Sequence, residues 1–167
     1  HPHKNHEKLF NALKILEERN LHFSLAVTVE SNKEDLICMI EEINKNAIIK
    51  VINFGMISKE KVCKLYSMSK CLIFPSLEES FGLPLIEAVE MDLDVISSDL
   101  DYVYQAINPS LTFNPNDAQS IAEAIQKYSE DSCLKSQGKI KNNISELIGL
   151  ILKAQVNVQL NQEKTKI

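Results

Sequence analysis

Two glutamates, Glu79 and Glu87, bracket the short run E-S-F-G-L-P-L-I-E. Each carboxylate oxygen can accept from a hydroxyl, and a vicinal diol can be gripped by both oxygens at once. Such a pair suits sugar or ribose hydroxyls. Between them, Pro84 fits the first turn of a helix, where its missing N–H is no loss. The residue at the cap is Leu83, or Gly82 if the helix begins one residue earlier, and neither has a side-chain oxygen to take the first N–H groups. Free donors at the positive end of a helix make an anion seat, and Gly82 lets a ligand come close to the backbone. The cap alone leaves two readings open: an anion site, or a helix end satisfied by water. The glutamates also have a plainer reading, with Glu79 solvated in a loop and Glu87 favoured by the helix dipole.

Other reactive residues carry less. Three of the four histidines, His1, His3 and His6, crowd the N-terminus, where a solvated terminus is a better reading than a metal site. Cys38, Cys63, Cys71 and Cys133 form no C-x-x-C pair, so they read as small buried apolar residues in a reducing compartment. Two D-x-D triplets occur, Asp92-Leu93-Asp94 and Asp99-Leu100-Asp101. The first opens a strand, the wrong edge of a parallel sheet for a ligand. The second lies at the correct edge, but Asp99 reads better as the cap of the helix that follows. No metal site is assigned.

The elements that must position these residues follow from the spacing of apolar side chains. Leu9, Phe10, Leu13 and Leu16 predict a helix over 7–18. A β-branched run predicts a strand over 23–29, and Ser31 to Glu34 reads as a capping box opening a second helix. Strands are expected at 48–54, 71–74, 94–98 and 111–113. Helices are expected from Ser58 through Met68, from Pro84 to Met91, and around Tyr102 to Ile107. Asn116 or Asp117 should cap another helix through Tyr128, and a long helix should cover 134–154. Short apolar strands alternating with helices indicate an α/β fold, a Rossmann-like parallel sheet with helices on both faces. Ligands of such a sheet sit at the carboxyl ends of its strands.

The chain has 167 residues, 44% hydrophobic and 25% charged, which fits one domain over 1–155 with a polar tail at 156–167. Its net charge of −5 argues against a broad nucleic-acid-binding face. No apolar run approaches the roughly 20 residues that span a bilayer, and no signal-peptide pattern is visible.

The stretch from Glu79 to Glu87 resembles the E-x7-E motif of retaining glycosyltransferases of the GT-B fold, in the family-4 group. Phe81-Gly82-Leu83-Pro84 between the glutamates and Ala88 after them belong to the likeness. So do Phe54-Gly55 before the Ser58 helix, Leu72 to Ser76 entering the motif, and the F-x-P-x-D turn from Phe113 to Asp117. His3-Lys4-Asn5 resembles that family's E-K-G turn. The likeness covers nearly the whole chain. It departs at Asp92-Leu93-Asp94, where many members have a Gly and x-Pro turn. The family's phosphate-binding Arg would fall before His1.

The resemblance implies the C-terminal half of a GT-B fold, the half that holds a nucleotide-sugar donor, with an N-terminal acceptor-binding domain as its partner. By position, Glu79 would contact the donor sugar beside the reacting carbon. The backbone of Phe81, Gly82 and Leu83 would face sugar and diphosphate, and Glu87 would hold the ribose. Lys4 would neutralise the departing diphosphate. Met56 and Ile57 would meet the base. The implied reaction transfers a sugar to an acceptor hydroxyl with retention, without a metal or other cofactor. Two carboxylates also serve hydrolases, but those must flank one bond, whereas these would grip opposite ends of a long donor. The implied setting is lipopolysaccharide or capsule assembly in the cytoplasm, at the inner face of the membrane through peripheral association of the whole enzyme. The isolated domain is expected to be inactive. The rival readings are a non-catalytic nucleotide- or sugar-binding module, a receiver-like domain and a GT-B phosphorylase.

Overall fold

The computed structural model of the chain describes residues 2–46, 48–131 and 135–139. A 3-10 turn at Pro2–Lys4 leads into α1 (His6–Glu18). There follow β1 (Phe23–Val27), α2 (Glu34–Asn44), β2 (Ile49–Asn53), α3 (Lys59–Met68), β3 (Cys71–Phe74), α4 (Leu83–Glu90) and β4 (Asp94–Ser98). Then come α5 (Asp101–Ala106), β5 (Ile107–Asn108), β6 (Leu111–Phe113), α6 (Ala118–Glu130) and β7 (Gln137–Gly138).

β1 and β2 pair in parallel, with Phe23 opposite Ile49 and Val27 opposite Asn53. β3, β4 and β6 form a parallel sheet in that order, with Cys71 opposite Asp94 and Ile96 opposite Leu111. Every residue of β4 is buried, as expected for a central strand with helices on both faces. Its alternating side chains feed two cores. Ile96 packs with Leu9, Phe10, Leu13 and Leu16 of α1, Ile40 and Ile43 of α2, and Ile121 and Ile125 of α6. Val95 packs with Leu85 and Ala88 of α4 and Val103 and Ala106 of α5. This is the expected α/β architecture with parallel strands between two helical layers.

Several local expectations fail, each to a competing partner. The Ser31 capping box does not form. The Lys33 N–H donates to the Glu30 carbonyl at 3.0 Å, closing a turn, and α2 begins at Glu34 with Lys33 at the cap. Asp99 does not cap α5, whose cap position is Leu100. Its carboxylate accepts instead from the Tyr104 hydroxyl at 2.6 Å. The segment 135–139 is extended rather than helical, and β7 pairs antiparallel with β5. Ser136 holds it there, because its Oγ accepts from the N–H groups of Val95 at 2.8 Å and Ser110 at 2.9 Å. The remainder of the helix expected over 134–154, and the 156–167 tail, lie outside the described residues.

The cysteines are less buried than expected. Cys38 is exposed and Cys63 and Cys71 are partly buried, all as free thiols, and Cys133 lies outside the described residues. Asp94 of the first D-x-D triplet is a core carboxylate. It accepts from the Tyr128 hydroxyl at 2.8 Å and the Lys135 ammonium at 3.4 Å, and burial followed by that hydrogen bond raises the Tyr128 phenol strongly.

Candidate functional site

β3 ends at Phe74, and the loop from Pro75 to Gly82 runs along the carboxyl edge of the sheet. The N-terminal turn is fastened to this loop. Asn5 adopts the left-handed conformation at φ 57°, which Asn tolerates better than most residues. Its Nδ2 donates to the Pro75 carbonyl at 3.1 Å and to the Pro115 carbonyl at 2.8 Å. The Leu77 N–H donates to the His3 carbonyl at 2.8 Å. These bonds bring Lys4 over the Phe74 ring, 5.6 Å from its centroid, in cation–π range.

Lys4 Nζ meets Glu79 Oε1 at 2.5 Å. The same oxygen accepts from Ser76 Oγ at 2.9 Å. The Glu79 side chain is 15% exposed, so desolvation pushes its carboxyl up. The hydrogen bonds from Lys4 and Ser76, with the Lys4 charge behind them, outweigh that, and the net direction is down. Ser76 is itself buried, and its carbonyl accepts from Ser98 Oγ and from the Tyr102 hydroxyl, each at 2.8 Å. Burial raises the Tyr102 phenol to about 12, so it is a standing donor at neutral pH.

Glu87, in the second turn of α4, pairs with Lys59 at the start of α3, Oε1 to Nζ at 2.9 Å. This pair lays the loop after β2 alongside α4. That loop turns at Gly55, φ 61°, and carries Met56, 85% exposed, and Ile57, partly buried. Phe81 and Leu83 are also exposed. The site is therefore an open shelf with two carboxylates, each neutralised by a lysine from another segment, and apolar side chains at its rim.

The start of α4 corrects the sequence argument. Gly82 is the cap residue, in the left-handed conformation at φ 66°, with no side-chain cap. That lack does not set α4 apart: among the described helices only α6 has a side-chain cap, from Asp117 to the Gln119 N–H at 2.9 Å. Fewer donors are free than expected. Pro84 has none, and the Leu85 N–H is taken by the Gly82 carbonyl at 2.9 Å. The space beside Gly82 is also tight on one side. A Cβ there would lie 3.1 Å from Leu85 Cδ1 and 3.8 Å from Ala106 Cβ.

An open cavity of about 340 Å³ between α1 and α2, lined by Lys14, Glu17, Glu42 and Asn46 among others, shares no residue with this shelf. Among the described residues, no group of three or more His, Cys, Asp or Glu side chains could hold a metal ion. No described helix is long and apolar enough to cross a membrane.

Residues 1–147 match the family profile described as glycosyl transferases group 1. The chain belongs to this family. It is 28% identical over 134 residues to the serotype-specific mannosyltransferase WbdA of Escherichia coli, covering 78% of this chain and 16% of that protein. It is 26% identical over 136 residues to the O-antigen chain mannosyltransferase B of Escherichia coli, covering 78% of this chain and 35% of the relative. Among solved structures, Anabaena Alr3699/HepE in complex with UDP superposes with a TM-score of 0.60 at 16% identity, covering 81% of this chain and 38% of the other. The chain thus spans well under half the length of these relatives. The likeness to this solved structure agrees with the α/β fold class that the sequence indicated.

Sequence reasoning gave no role to Ser76, Ser98, Tyr102 or Lys59. Ser76 had a local signal, a short hydroxyl three residues before Glu79 in a loop. Asn5 had one too, standing where the resembling motif has Gly and carrying the positive φ that Gly would supply. Lys59 had none, since its contact with Glu87 depends on how α3 and α4 pack.

Proposed function

We propose that this chain is the donor-binding, C-terminal half of a retaining glycosyltransferase of the family-4 type, and that the Glu79–Glu87 shelf receives a nucleotide-sugar. The observation that carries this reading is the Lys4–Glu79 contact at 2.5 Å. Residues 75 apart in sequence, both matched to donor-binding positions, meet at the carboxyl edge of the sheet, where such folds bind ligands.

In this reading the glycosidic bond from the sugar carbon to the diphosphate breaks, and its electron pair leaves with the diphosphate. Lys4 and the free N–H groups at the start of α4 stabilise that charge. With retention the bond to the acceptor oxygen ends on the face that the diphosphate left, and the acceptor proton passes to the departing diphosphate. Glu79 orients the sugar at the reacting carbon, and Glu87 holds the ribose with Lys59 beside it. The backbone of Phe81, Gly82 and Leu83 faces the sugar and diphosphate, and Met56 and Ile57 face the base. Lysine ammonium groups and main-chain N–H groups take the place of a metal. Positioning an acceptor needs a second domain, so this half alone should not turn over. The names of the relatives favour a hexose, with mannose first in the screen, and assembly of a cell-surface polysaccharide on the cytoplasmic side of the membrane.

Calorimetric titration with UDP, GDP and their sugar derivatives tests the site. Lys4→Ala and Glu87→Ala should each weaken binding of the nucleotide that the unaltered chain prefers. Unchanged affinity in both variants overturns the assignment. In the enzyme with both halves present, Glu79→Ala should abolish transfer and leave the fold intact.

A further inference from the structure

The ligand-free shelf is already charge-balanced, and its balance conflicts with the work just assigned to it. Glu79 already matches the charge of Lys4 before a diphosphate arrives, and Glu79 Oε1 is already shared by two donors, so a ligand that needs either group competes with the contact in place. One oxygen, Oε1, takes both Lys4 and Ser76. If Lys4 leaves, the Ser76 hydroxyl is the described hydrogen bond that remains to Glu79.

Ser76 is built to stay put. It is 1% exposed, and its carbonyl is held from two directions, by Ser98 at the end of β4 and by Tyr102 in α5. Lys4 is the opposite case. Its side chain is 34% exposed, on a short 3-10 turn, and its long stem can redirect the ammonium at little cost. One partner of Glu79 is fixed and the other is free to exchange.

We infer that Glu79 occupies the phosphate seat of Lys4 in the empty site, that a nucleoside diphosphate displaces it, and that Ser76 is the positioning residue that keeps Glu79 aimed after the exchange. The inference rests on the donor-site reading above. Binding is then an exchange of anions on Lys4: the carboxylate leaves, the phosphate arrives, and the carboxylate is released for the sugar. In the empty site the ammonium and the carboxylate are each paired, and the carboxylate that would repel the phosphate turns away from Lys4 as the phosphate arrives.

The test is calorimetry with GDP, UDP and their sugar derivatives on the unaltered chain and four variants. Glu79→Gln should bind the preferred diphosphate more tightly, on the order of fivefold, because the competitor for Lys4 is gone. Lys4→Met should weaken it. Ser76→Ala keeps the main-chain carbonyl that Ser98 and Tyr102 hold, so its fold should survive. It should leave the diphosphate affinity unweakened but shrink the ratio of sugar-nucleotide to diphosphate affinity. Ser76→Thr, which keeps the hydroxyl, should restore that ratio.

If Lys4→Met weakens binding but Glu79→Gln binds no tighter than the unaltered chain, the exchange is overturned and the donor site stands. If Ser76→Ala weakens both ligands equally, or if Ser76→Thr fails to rescue, the positioning role is overturned. If the unaltered chain binds no nucleotide, the donor-site reading fails and takes this inference with it.

Discussion

Replacing Asn5 tests how the N-terminal turn is locked to the site. Two terms are at stake. Asn5 Nδ2 supplies a hydrogen bond to each of two buried residues' carbonyls, Pro75 and Pro115. A typical bond contributes about 1 kcal/mol net, and more when its loss strands a buried partner. Asn5 also holds φ at 57°, where a residue with a Cβ and no polar side chain costs roughly 1–2 kcal/mol. Asn5→Ala loses both terms, about 3–4 kcal/mol. Asn5→Gly loses the hydrogen bonds but keeps easy access to positive φ, at a smaller penalty from the freer unfolded chain. It should cost about 2–3 kcal/mol. Urea unfolding at neutral pH measures both, provided the m-value is unchanged. The separation between the variants, about 1 kcal/mol, isolates the backbone term. If Asn5→Ala is no less stable than Asn5→Gly, or if both lie within about 0.5 kcal/mol of the unaltered chain, the turn is not held as described.

Gly82→Ala should destabilise by about 2–3 kcal/mol, from positive φ and from crowding Leu85, which is buried and cannot swing away. A thermal scan should show a fall of at least about 5 °C, and an unchanged midpoint would contradict the geometry. Ser136→Ala removes the acceptor of the Val95 N–H at 2.8 Å, so hydrogen exchange at Val95 should accelerate relative to Ile96. Equal protection in both chains would mean that the β7 segment is not docked as described. The depressed carboxyl of Glu79 sets a pH dependence: its folded value lies below its unfolded one, so its stabilisation is present above about pH 4.3 and is lost as pH falls through the folded value. The stability gap between the unaltered chain and Glu79→Gln, followed by urea unfolding from pH 6 to pH 3, should therefore narrow toward acid. A gap that is constant with pH would sink the ion-pair reading.

The sheet was legible where the chain itself decides. Cys71–Phe74, Asp94–Ser98 and Leu111–Phe113 were expected at the observed limits, because short apolar runs there end at proline or at polar turns. The failures share one cause. The Ser31 turn, the role of Asp99 and the course of 135–139 were each decided by a hydrogen bond that competes with the local pattern. At the candidate site, spacing and resemblance marked Glu79, Glu87 and Lys4. They could not mark Lys59, nor Tyr102 and Ser98, whose contacts arise only when β4, α5 and the loop after β3 come together.

The helix cap was the weaker half of the argument for an anion site, and the charge layout is the stronger half. Missing side-chain caps recur at most of the described helix starts, so an uncapped α4 does not point to a ligand. Two lysines held by two carboxylates at the carboxyl edge are more specific. The net charge of −5 does not count against an anionic ligand there. At physiological salt, screening over about 8 Å leaves a phosphate facing its immediate neighbours rather than the whole surface. In the proposed donor site those neighbours would be Lys4, the start of α4 and, at the ribose end, Lys59, whose side chain is 75% exposed. In the proposed donor site Glu79 cancels Lys4 when the site is empty and becomes a hydroxyl acceptor when a phosphate takes over that task. A bare basic pocket would hold any phosphate; a pocket that returns a carboxylate on binding would favour a phosphate joined to a sugar.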